Sequence, residues 1–246
     1  MPLDEGTALR AYAVTGIGEV RPGDDVGALV AEAVGRPGAD GNDGLRDGDV
    51  VVVTQKIVSK AEGRLVPVDH ADAAAKVRVV EAEAARVLRR RGDLRITETR
   101  HGFVCANAGV DLSNVADGWA ALLPEDPDRS ARRIRAGIRR RLGVTVGVII
   151  SDTFGRAWRN GVTDVAIGCA GVAGVVDLRG TPDATGRELV ATEVCVADEL
   201  AAAAELVMGK DRAVPVAVVR GVPGQWLRDG SVRGEIVRRP GDDLFR

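Results

Sequence analysis

Two stretches of this sequence place oxygen-bearing and cationic side chains directly after apolar runs. In the first, residues 144–150 form an apolar run that predicts a buried strand. Asp152 and Thr153 follow this run, and two arginines, Arg156 and Arg159, come soon after them. Carboxylate and hydroxyl oxygens followed by cationic donors are side chains that can hold a metal ion and a phosphate group. This stretch is therefore a candidate site for metal-assisted phosphate chemistry.

The second stretch, residues 101–114, contains Asp111 and Asn114 among small and apolar residues. Asp111 and Asp152 are the candidate metal carboxylates, because Mg²⁺ binds one or two carboxylates together with phosphate oxygens and water. Asn114 and Thr153 would add neutral oxygens beside them. The alternative is that each aspartate caps a helix or closes a turn, which is a common role for an isolated aspartate in a loop.

Two lysines, Lys56 and Lys60, follow a valine run that predicts a strand over residues 49–54. If residues 54–60 continue as an extended segment, the alternation of side chains places both lysines on one face. Two ammonium groups on one face suit a polyphosphate. A solvent-exposed strand end is the alternative.

The common nucleotide-binding motifs are missing from the sequence. Gly209 and Lys210 lack the upstream glycine and the following Ser or Thr of a phosphate-binding loop, and residues 16–18 lack the third glycine of a dinucleotide fingerprint. A nucleotide would therefore bind to a less common scaffold. Three glycines that recur every third residue in a strand pattern predict close packing: Gly168, Gly171 and Gly174.

The histidines and most arginines have structural interpretations. Without a second His or Cys at ligand spacing, His101 is predicted to hydrogen-bond to backbone rather than to bind zinc, and His70 is predicted to lie at the surface. A predicted helix over residues 130–142 carries six arginines, which is compatible with RNA binding or with a solvent-facing helix surface. The net charge of −2 favours the second interpretation, so no nucleic-acid partner is expected.

The bulk composition indicates a globular protein. The 246 residues are enough for one large domain with a sizeable core, and with only 3% aromatic residues that core must be aliphatic. No apolar run reaches the roughly 18 residues that a membrane-spanning helix needs, so no membrane partner is expected. The three cysteines, Cys105, Cys169 and Cys195, are far apart and odd in number, which favours a reduced, cytoplasmic protein.

Periodicity and turn residues predict an α+β fold, because strands and helices mix without a regular βαβ order. Residues 36–48 are rich in Gly, Asp and Pro and predict a mobile loop. The predicted helices cover residues 24–35, 72–91, 130–142 and 188–208. The predicted strands cover residues 49–54, 144–150, 165–178 (one or two strands) and 214–219.

Six blocks in order along the chain together resemble the coenzyme F420-0:γ-glutamyl ligase family. The blocks are residues 16–19, 54–63, 101–114, 151–161, 206–210 and 214–221. The resemblance implies an enzyme that uses GTP to add L-glutamate to the deazaflavin F420-0 through an acyl phosphate. It also implies a divalent metal (Mg²⁺ or Mn²⁺), K⁺ as a further cation, and a mixed α+β ligase fold that forms an intertwined homodimer.

The resemblance also assigns roles to residues. Asp111, Asp152 and Thr153 correspond to metal ligands, and Lys60, Asp111 and Asp152 to catalytic groups. Some relatives have a metal-ligating Gln where this chain has Lys210, whose protonated amine cannot ligate, so that a backbone or water oxygen would replace it. The positions that correspond to nucleotide contacts are Gly16, Ile17, Gly18, Glu19, Gln55, Lys56, Lys60, Asn114, Met208, Gly209, Lys210, Asp211, Arg212, Ala213, Val214 and Pro215.

The charge and location of Arg156 and Arg159 make them candidates for binding the substrate's phosphodiester or carboxylates. Residues 1–236 are expected to form the ligase-like unit, either as one unit or as two intertwined subdomains. Residues 237–246 resemble the linker that leads into a nitroreductase-like domain in bacterial two-domain relatives. The sequence leaves open whether the chain is a ligase-only protein or a piece of a longer one. The alternative function is a non-catalytic nucleotide- or metal-binding regulatory module.

Overall fold

The computed structural model describes residues 8–35, 44–69 and 71–244. Most of the predicted loop over 36–48, and His70, lie outside these described residues. In chain order the elements are β1 (Arg10–Val14), α1 (Val26–Val34), β2 (Val50–Thr54), α2 (Gln55–Ala61), β3 (Leu65–Pro67), α3 (Ala73–Glu83), β4 (Ala84–Arg91), β5 (Leu94–Thr99), β6 (Val104–Ala106), β7 (Trp119–Ala121), α4 (Pro127–Leu142), β8 (Gly147–Arg156), β9 (Arg159–Ala170), β10 (Val176–Asp177), β11 (Glu193–Val194), α5 (Val196–Met208), β12 (Val216–Arg220) and α6 (Val232–Glu235).

A five-stranded sheet with the order β1-β12-β2-β8-β9 forms the centre of the molecule. Only the β2–β8 pair is parallel, with Val52 opposite Ile149 and Thr54 opposite Ser151. The other three pairs are antiparallel. Strands and helices therefore mix without a doubly wound pattern, which agrees with the predicted α+β class.

The central sheet is buried on both faces, which explains why its strands are continuous apolar runs. Val51 and Val53 of β2 face a core shared with α1 and α4. Val50 and Val52 point the other way, into a core shared with α5. Since successive side chains of a strand alternate between faces, the four valines of β2 serve both cores at once.

A third, smaller core lies beside the central sheet. It joins α3 to the segments around β3, β6 and β7, with Val80, Val110 and Leu122 among its buried members. In this region β3 pairs with β7, and β4, β5 and β6 form a three-stranded sheet. Strand β6 contacts β8 of the central sheet. The polar stretch that follows β6 is thereby brought next to the polar end of β8.

The three evenly spaced glycines are sites of close packing, as predicted. A Cβ atom on Gly168 would lie 2.4 Å from a backbone atom of Pro127, and one on Gly171 would lie 2.3 Å from the Arg135 side chain. A Cβ on Gly174 would lie 3.1 Å from the Cβ of Glu235. The space over these glycines is filled by α4 and α6 of the same chain.

The local predictions for His101 and for the end of α4 are also confirmed. His101 Nε2 lies 2.9 Å from the backbone carbonyl oxygen of Pro124, so this histidine is a structural residue. Helix α4 ends at Gly143, whose φ of 74° is the left-handed conformation that glycine adopts readily at helix ends. Among the described residues, no helix is both long and apolar enough to cross a membrane.

Two predictions give the wrong type of secondary structure. Residues 56–60, expected to continue the strand or to turn, lie in helix α2, so Lys56 and Lys60 share a face because they lie one helical turn apart. The helix predicted over 72–91 begins at its Asp72 cap but ends at Glu83. Residues 84–91 instead form β4, which pairs with β5 through a tight turn at Gly92, where φ is 55°. Tertiary pairing overrides the helical periodicity there.

Two further predictions have the wrong boundaries. The strand predicted over 144–150 runs from Gly147 to Arg156, so Asp152 and Thr153 lie within a strand rather than after one. The helix predicted over 188–208 begins only at Val196, after the short strand β11. The hairpin partner β9 extends β8, and pairing with β10 makes residues 193–194 a strand.

The buried carboxylate of Asp128 ties α4 to β9 and α6. One of its oxygens accepts hydrogen bonds from the backbone N–H groups of Cys169 (2.8 Å) and Val232 (2.9 Å). The other accepts from the N–H of Arg233 at 3.1 Å. Three backbone donors distant in sequence are thus satisfied by one side chain, as buried polar groups require.

We expect Asp128→Asn to lower the free energy of unfolding by about 1–3 kcal/mol, because the amide –NH₂ would face the Arg233 N–H and leave a buried donor unpaired. Urea denaturation followed by circular dichroism measures this change. Glu188→Gln, which removes the same charge at an exposed position, is the control. Equal stability of the two variants would show that the carboxylate does not hold these elements together.

Candidate active site

The centre of the candidate site is the antiparallel β8–β9 hairpin. Asp152 lies opposite Val165, and Thr153 lies opposite Asp164. Asp164 is 2% exposed, and it accepts hydrogen bonds from Ser151 Oγ at 2.9 Å and from Thr153 Oγ1 at 2.6 Å. A carboxylate is rarely this buried without partners. The hydroxyls of Ser151 and Thr153 are these partners, and their hydrogen bonds to Asp164 also fix the orientation of the hydroxyls.

Lys210 approaches this cluster from the loop after α5. Its Nζ lies 3.0 Å from Asp164 Oδ1 and 3.4 Å from Glu205 Oε1, and it also contacts Thr153 Oγ1. Partial burial alone would lower the pKa of Lys210, but the hydrogen bond and charge of Asp164, with a further contribution from Glu205, raise it above its usual value. The side chain is therefore a stable ammonium at neutral pH.

A second polar group surrounds Asp111, which lies between the smaller core and the central sheet. Lys56 Nζ lies 2.7 Å from Asp111 Oδ2 and donates a hydrogen bond to Ser113 Oγ at 2.8 Å. The Ser113 backbone N–H donates to Asp111 Oδ1 at 2.7 Å. Burial by itself would raise the pKa of Asp111, but the hydrogen bonds from Lys56 and Ser113 hold it below its usual value.

Helix α2 connects this group to a third. Lys60, one turn after Lys56, is 8% exposed, and its Nζ lies 2.6 Å from Glu19 Oε1. Glu19 belongs to the loop after β1, where Gly16 has a φ of 81° that L residues rarely adopt. The predicted nucleotide-contact loop and the second lysine are thus joined by an ion pair.

Electrostatic coupling joins the groups around Asp152. Burial raises the pKa of Asp152 to about 7, and the hydrogen bond from the backbone N–H of Thr153 opposes this rise. The neighbouring carboxylates of Asp111 and Asp164 add to the rise, and the Lys210 ammonium opposes it. The structure therefore brings Asp111 and Asp152 close enough to repel each other, although they are distant in sequence.

A divalent cation fits this donor set. The described residues contain no group of three or more His, Cys, Asp or Glu side chains placed to share one metal ion. Asp111 and Asp152 match the way in which Mg²⁺ is held by one or two carboxylates and completed by substrate phosphates and water. Burial is the main cause of the raised pKa of Asp152, and a cation between the two carboxylates would relieve the repulsion that adds to it.

Some predicted contact residues lie apart from this centre. The Met208 side chain, at the end of α5, is fully buried in the core between α5 and the central sheet, and Gln55 is buried with its Oε1 accepting from Ser59 Oγ at 2.8 Å. Arg156 and Arg159 lie opposite each other at the exposed tip of the β8–β9 hairpin. Arg156 is three strand residues beyond Thr153, roughly 10 Å along the strand.

The remaining predicted contacts line loops around the centre. Asn114 is exposed and has a φ of 51°. The segment after α5 includes Gly209 and Ala213 with φ values of 65° and 53°, and the carbonyl oxygen of Pro215 accepts from the Thr54 N–H at 2.9 Å. This last bond holds the segment against the start of α2. The predicted contacts that also fall in these loops are Ile17, Gly18, Asp211, Arg212 and Val214.

The sequence interpretation missed the most buried carboxylate of the site. Asp164 lies between Thr163 and the apolar run Val165–Ile167 within β9, and a single aspartate within such a strand is a usable signal for a functional or paired carboxylate. Glu205 was missed because it is one of several acidic residues on the alanine-rich helix α5. Its proximity to Lys210 depends on how the chain turns at Gly209.

The fold and these side chains define a mixed α/β protein in which carboxylates, hydroxyls and ammonium groups gather where its two parallel strands meet. The chain belongs to the F420-0:Gamma-glutamyl ligase family, whose family model matches residues 16–221. The family resemblance drawn from the sequence blocks is thereby confirmed.

Curated relatives cover nearly the whole chain. It is 45% identical over 245 residues to the coenzyme F420:L-glutamate ligase of Methanopyrus kandleri, covering 93% of this chain and 94% of that protein. The coenzyme F420:L-glutamate ligase of Methanothermobacter thermautotrophicus is 43% identical over 249 residues, with 95% and 97% covered. That of Methanocaldococcus jannaschii is 40% identical over 218 residues, with 82% and 86% covered.

We expect Lys56→Met to raise the pKa of Asp111 in the metal-free protein, because burial would then act without the hydrogen bond and charge that oppose it. Carboxyl-carbon NMR titration of Asp111 measures the shift. Lys76→Met, which removes a lysine from α3, should leave the titration where it is in the unmodified protein. An unchanged Asp111 titration in Lys56→Met would contradict the pairing.

Proposed function

We propose that the protein is a GTP-dependent ligase that joins L-glutamate to coenzyme F420-0 and releases GDP and phosphate. Membership of the F420-0:Gamma-glutamyl ligase family and the names of the curated relatives support the two substrates to be joined. The observation that carries the proposal is the convergence of Asp111 and Asp152 beside Lys56 on α2, with Lys60 one turn further on. Such a centre suits a nucleotide polyphosphate and a substrate carboxylate.

The reaction has two steps. An oxygen of the F420-0 carboxylate attacks the γ-phosphorus of GTP, the bond from this phosphorus to the β–γ bridging oxygen breaks, and GDP leaves. The neutral amine of L-glutamate then attacks the carbonyl carbon of the acyl phosphate, loses a proton, and expels phosphate as the amide forms. The first step needs the negatively charged carboxylate and phosphate to be held close together, and the second needs the amine to be held against the carbonyl carbon. Charge neutralisation and positioning are therefore the main work of the protein.

The lysines of α2 supply fixed positive charge for the first step. Lys60 is nearly buried, so its ammonium acts at short range and with little screening on the charge that develops on the departing GDP. Its ion pair with Glu19 fixes it at the edge of the loop after β1, whose residues 15–19 are mostly exposed. Lys56 holds Asp111 ionised and in one orientation.

Asp111, Asp152 and Thr153 are the residues that would hold Mg²⁺ or Mn²⁺, which when bound would neutralise charge on the phosphates and on these carboxylates. Arg156 and Arg159, at the exposed tip of the hairpin, are candidates for binding the phosphodiester or carboxylates of the deazaflavin by charge and location. The segment of residues 208–215 would contact the nucleotide.

The proposal extends to the assembly and to further turnover. We expect γ-linked addition of a second glutamate, a homodimer, and a cytoplasmic location. The cysteines are unpaired, which agrees with a reducing compartment.

The decisive experiment incubates the protein with GTP, Mg²⁺, L-glutamate and F420-0, measures phosphate release and detects the product by mass spectrometry. We expect phosphate release that depends on F420-0 and a deazaflavin that is heavier by one and then two glutamyl residues. GTP hydrolysis that proceeds equally without deazaflavin, with no heavier product, would exclude the ligase and favour a nucleotide-binding regulatory module.

We expect Asp152→Asn to remove metal-dependent turnover while the metal-free protein keeps its stability at neutral pH. Asparagine has the same shape, and burial already disfavours the charge that it removes. Product formation at varied Mg²⁺ and thermal melting without metal measure the two effects. Asp117→Asn, at an exposed position, is the matched control. Turnover at the unmodified rate in Asp152→Asn would refute the metal assignment.

A further inference from the structure

Lys210 occupies a position whose surroundings are those of a bound monovalent cation. Three oxygens from three separate elements surround its Nζ: Asp164 Oδ1 of β9 at 3.0 Å, Glu205 Oε1 of α5 at 3.4 Å, and Thr153 Oγ1 of β8. The Asp164 side chain is 1% exposed and that of Glu205 is 19% exposed. Neither carboxylate can rely on water alone to stabilise its charge.

The chain around Lys210 adds to this preference for positive charge. Helix α5 ends at Met208, and the negative end of its dipole favours a cation beside its last turn. Gly209 turns the backbone with a φ of 65°, and its N–H donates to the Glu205 carbonyl oxygen at 2.9 Å. The turn directs the lysine back across the helix end toward β8 and β9. Burial and the nearby Asp164 raise the pKa of Glu205, while Lys210 opposes that rise.

The contact with Thr153 gives the ammonium a positioning role. The Thr153 hydroxyl has one hydrogen and two lone pairs. Its hydrogen is donated to Asp164 Oδ1, and one lone pair accepts from Lys210. The orientation of the hydroxyl is therefore fixed, with one lone pair left. Thr153 is also one of the residues proposed above to hold the divalent metal, and the remaining lone pair is the one that it would offer to that metal.

We propose that the Lys210 ammonium serves as a built-in monovalent cation, which neutralises Asp164 and Glu205 and orients Thr153 beside the divalent-metal site. The protein then needs no free K⁺ or similar ion at this position. The role of Thr153 as a metal ligand rests on the proposed function, whereas the cation replacement itself concerns only the contacts of Lys210.

The test removes the ammonium and supplies it from solution. In Lys210→Ala, thermal melting by circular dichroism is measured with NH₄⁺, methylammonium, K⁺ or tetramethylammonium as chloride salts at one ionic strength, without GTP, F420-0 or glutamate. We expect a lowered melting temperature that NH₄⁺, methylammonium and K⁺ restore saturably and that tetramethylammonium, which is too large and has no N–H, does not. The unmodified protein and Lys76→Ala should show no such selectivity.

A second measurement follows Mn²⁺ binding by electron paramagnetic resonance. Loss of a group that orients a metal ligand typically weakens metal affinity by about 10- to 100-fold. We expect a loss of that size in Lys210→Ala and recovery on addition of NH₄⁺. If Lys210→Ala does not fold, Lys210→Gln keeps the chain length without the charge and is measured in the same way.

The proposal is overturned if the melting temperature of the variant that folds is the same with all four cations. It is also overturned if the melting temperature of the unmodified protein shows the same saturable response to K⁺. Weakened Mn²⁺ binding that NH₄⁺ does not restore would also overturn it. These readouts are independent of glutamate ligation. A selective cation response in a protein that makes no glutamylated product would refute the proposed function and leave the role of Lys210 intact.

Discussion

The parallel pairing of β2 with β8 is the constraint on which the candidate site depends. Parallel strands end at the same edge of a sheet, and ligand sites of α/β folds form outside that edge. Thr54, the last residue of β2, lies opposite Ser151, so α2 begins beside the polar half of β8. The lysines of α2 therefore reach the aspartates of the hairpin and of the smaller core. A shift of one residue in this pairing would turn the β2 valines to the wrong faces and move the lysines away.

The site is held together by charges that are costly to bury alone and stable only in combination. Asp164 has two hydroxyls and an ammonium as partners, and Asp111 has a lysine and Ser113. Asp152 has the fewest compensating contacts, which is why burial and its acidic neighbours raise its pKa to about 7. Breaking one partner of such a network leaves an uncompensated buried charge, a larger penalty than the interaction itself would suggest.

The two cation positions differ in kind. At Asp111 and Asp152 the protein supplies two carboxylates, of which Lys56 pairs with the first. The unbalanced negative charge favours an exchangeable divalent ion that arrives with a nucleotide. Beside Asp164 and Glu205 the protein supplies its own ammonium on a flexible stem, half exposed to solvent. A lysine is a compact point charge and can replace a monovalent ion, but it cannot bridge a carboxylate to a phosphate as a divalent metal does.

The sequence by itself determined the elements with strong local signals. The valines of β2, the cap at Asp72, and the glycine that ends α4 are decided by side-chain patterning and backbone conformation within a few residues. The candidate carboxylates Asp111 and Asp152 could also be predicted, because polar residues that follow apolar runs are visible in the sequence.

Only the tertiary structure decided the features that depend on which segments pair and pack against each other. Residues 84–91 are compatible with a helix and become a strand because β5 offers a pairing edge. Asp164 and Glu205 are unremarkable as single residues until β9 and α5 place them around Lys210. Local propensities differ by less than the free energy of such long-range contacts, so the contacts determine which conformation and which charge pairs persist.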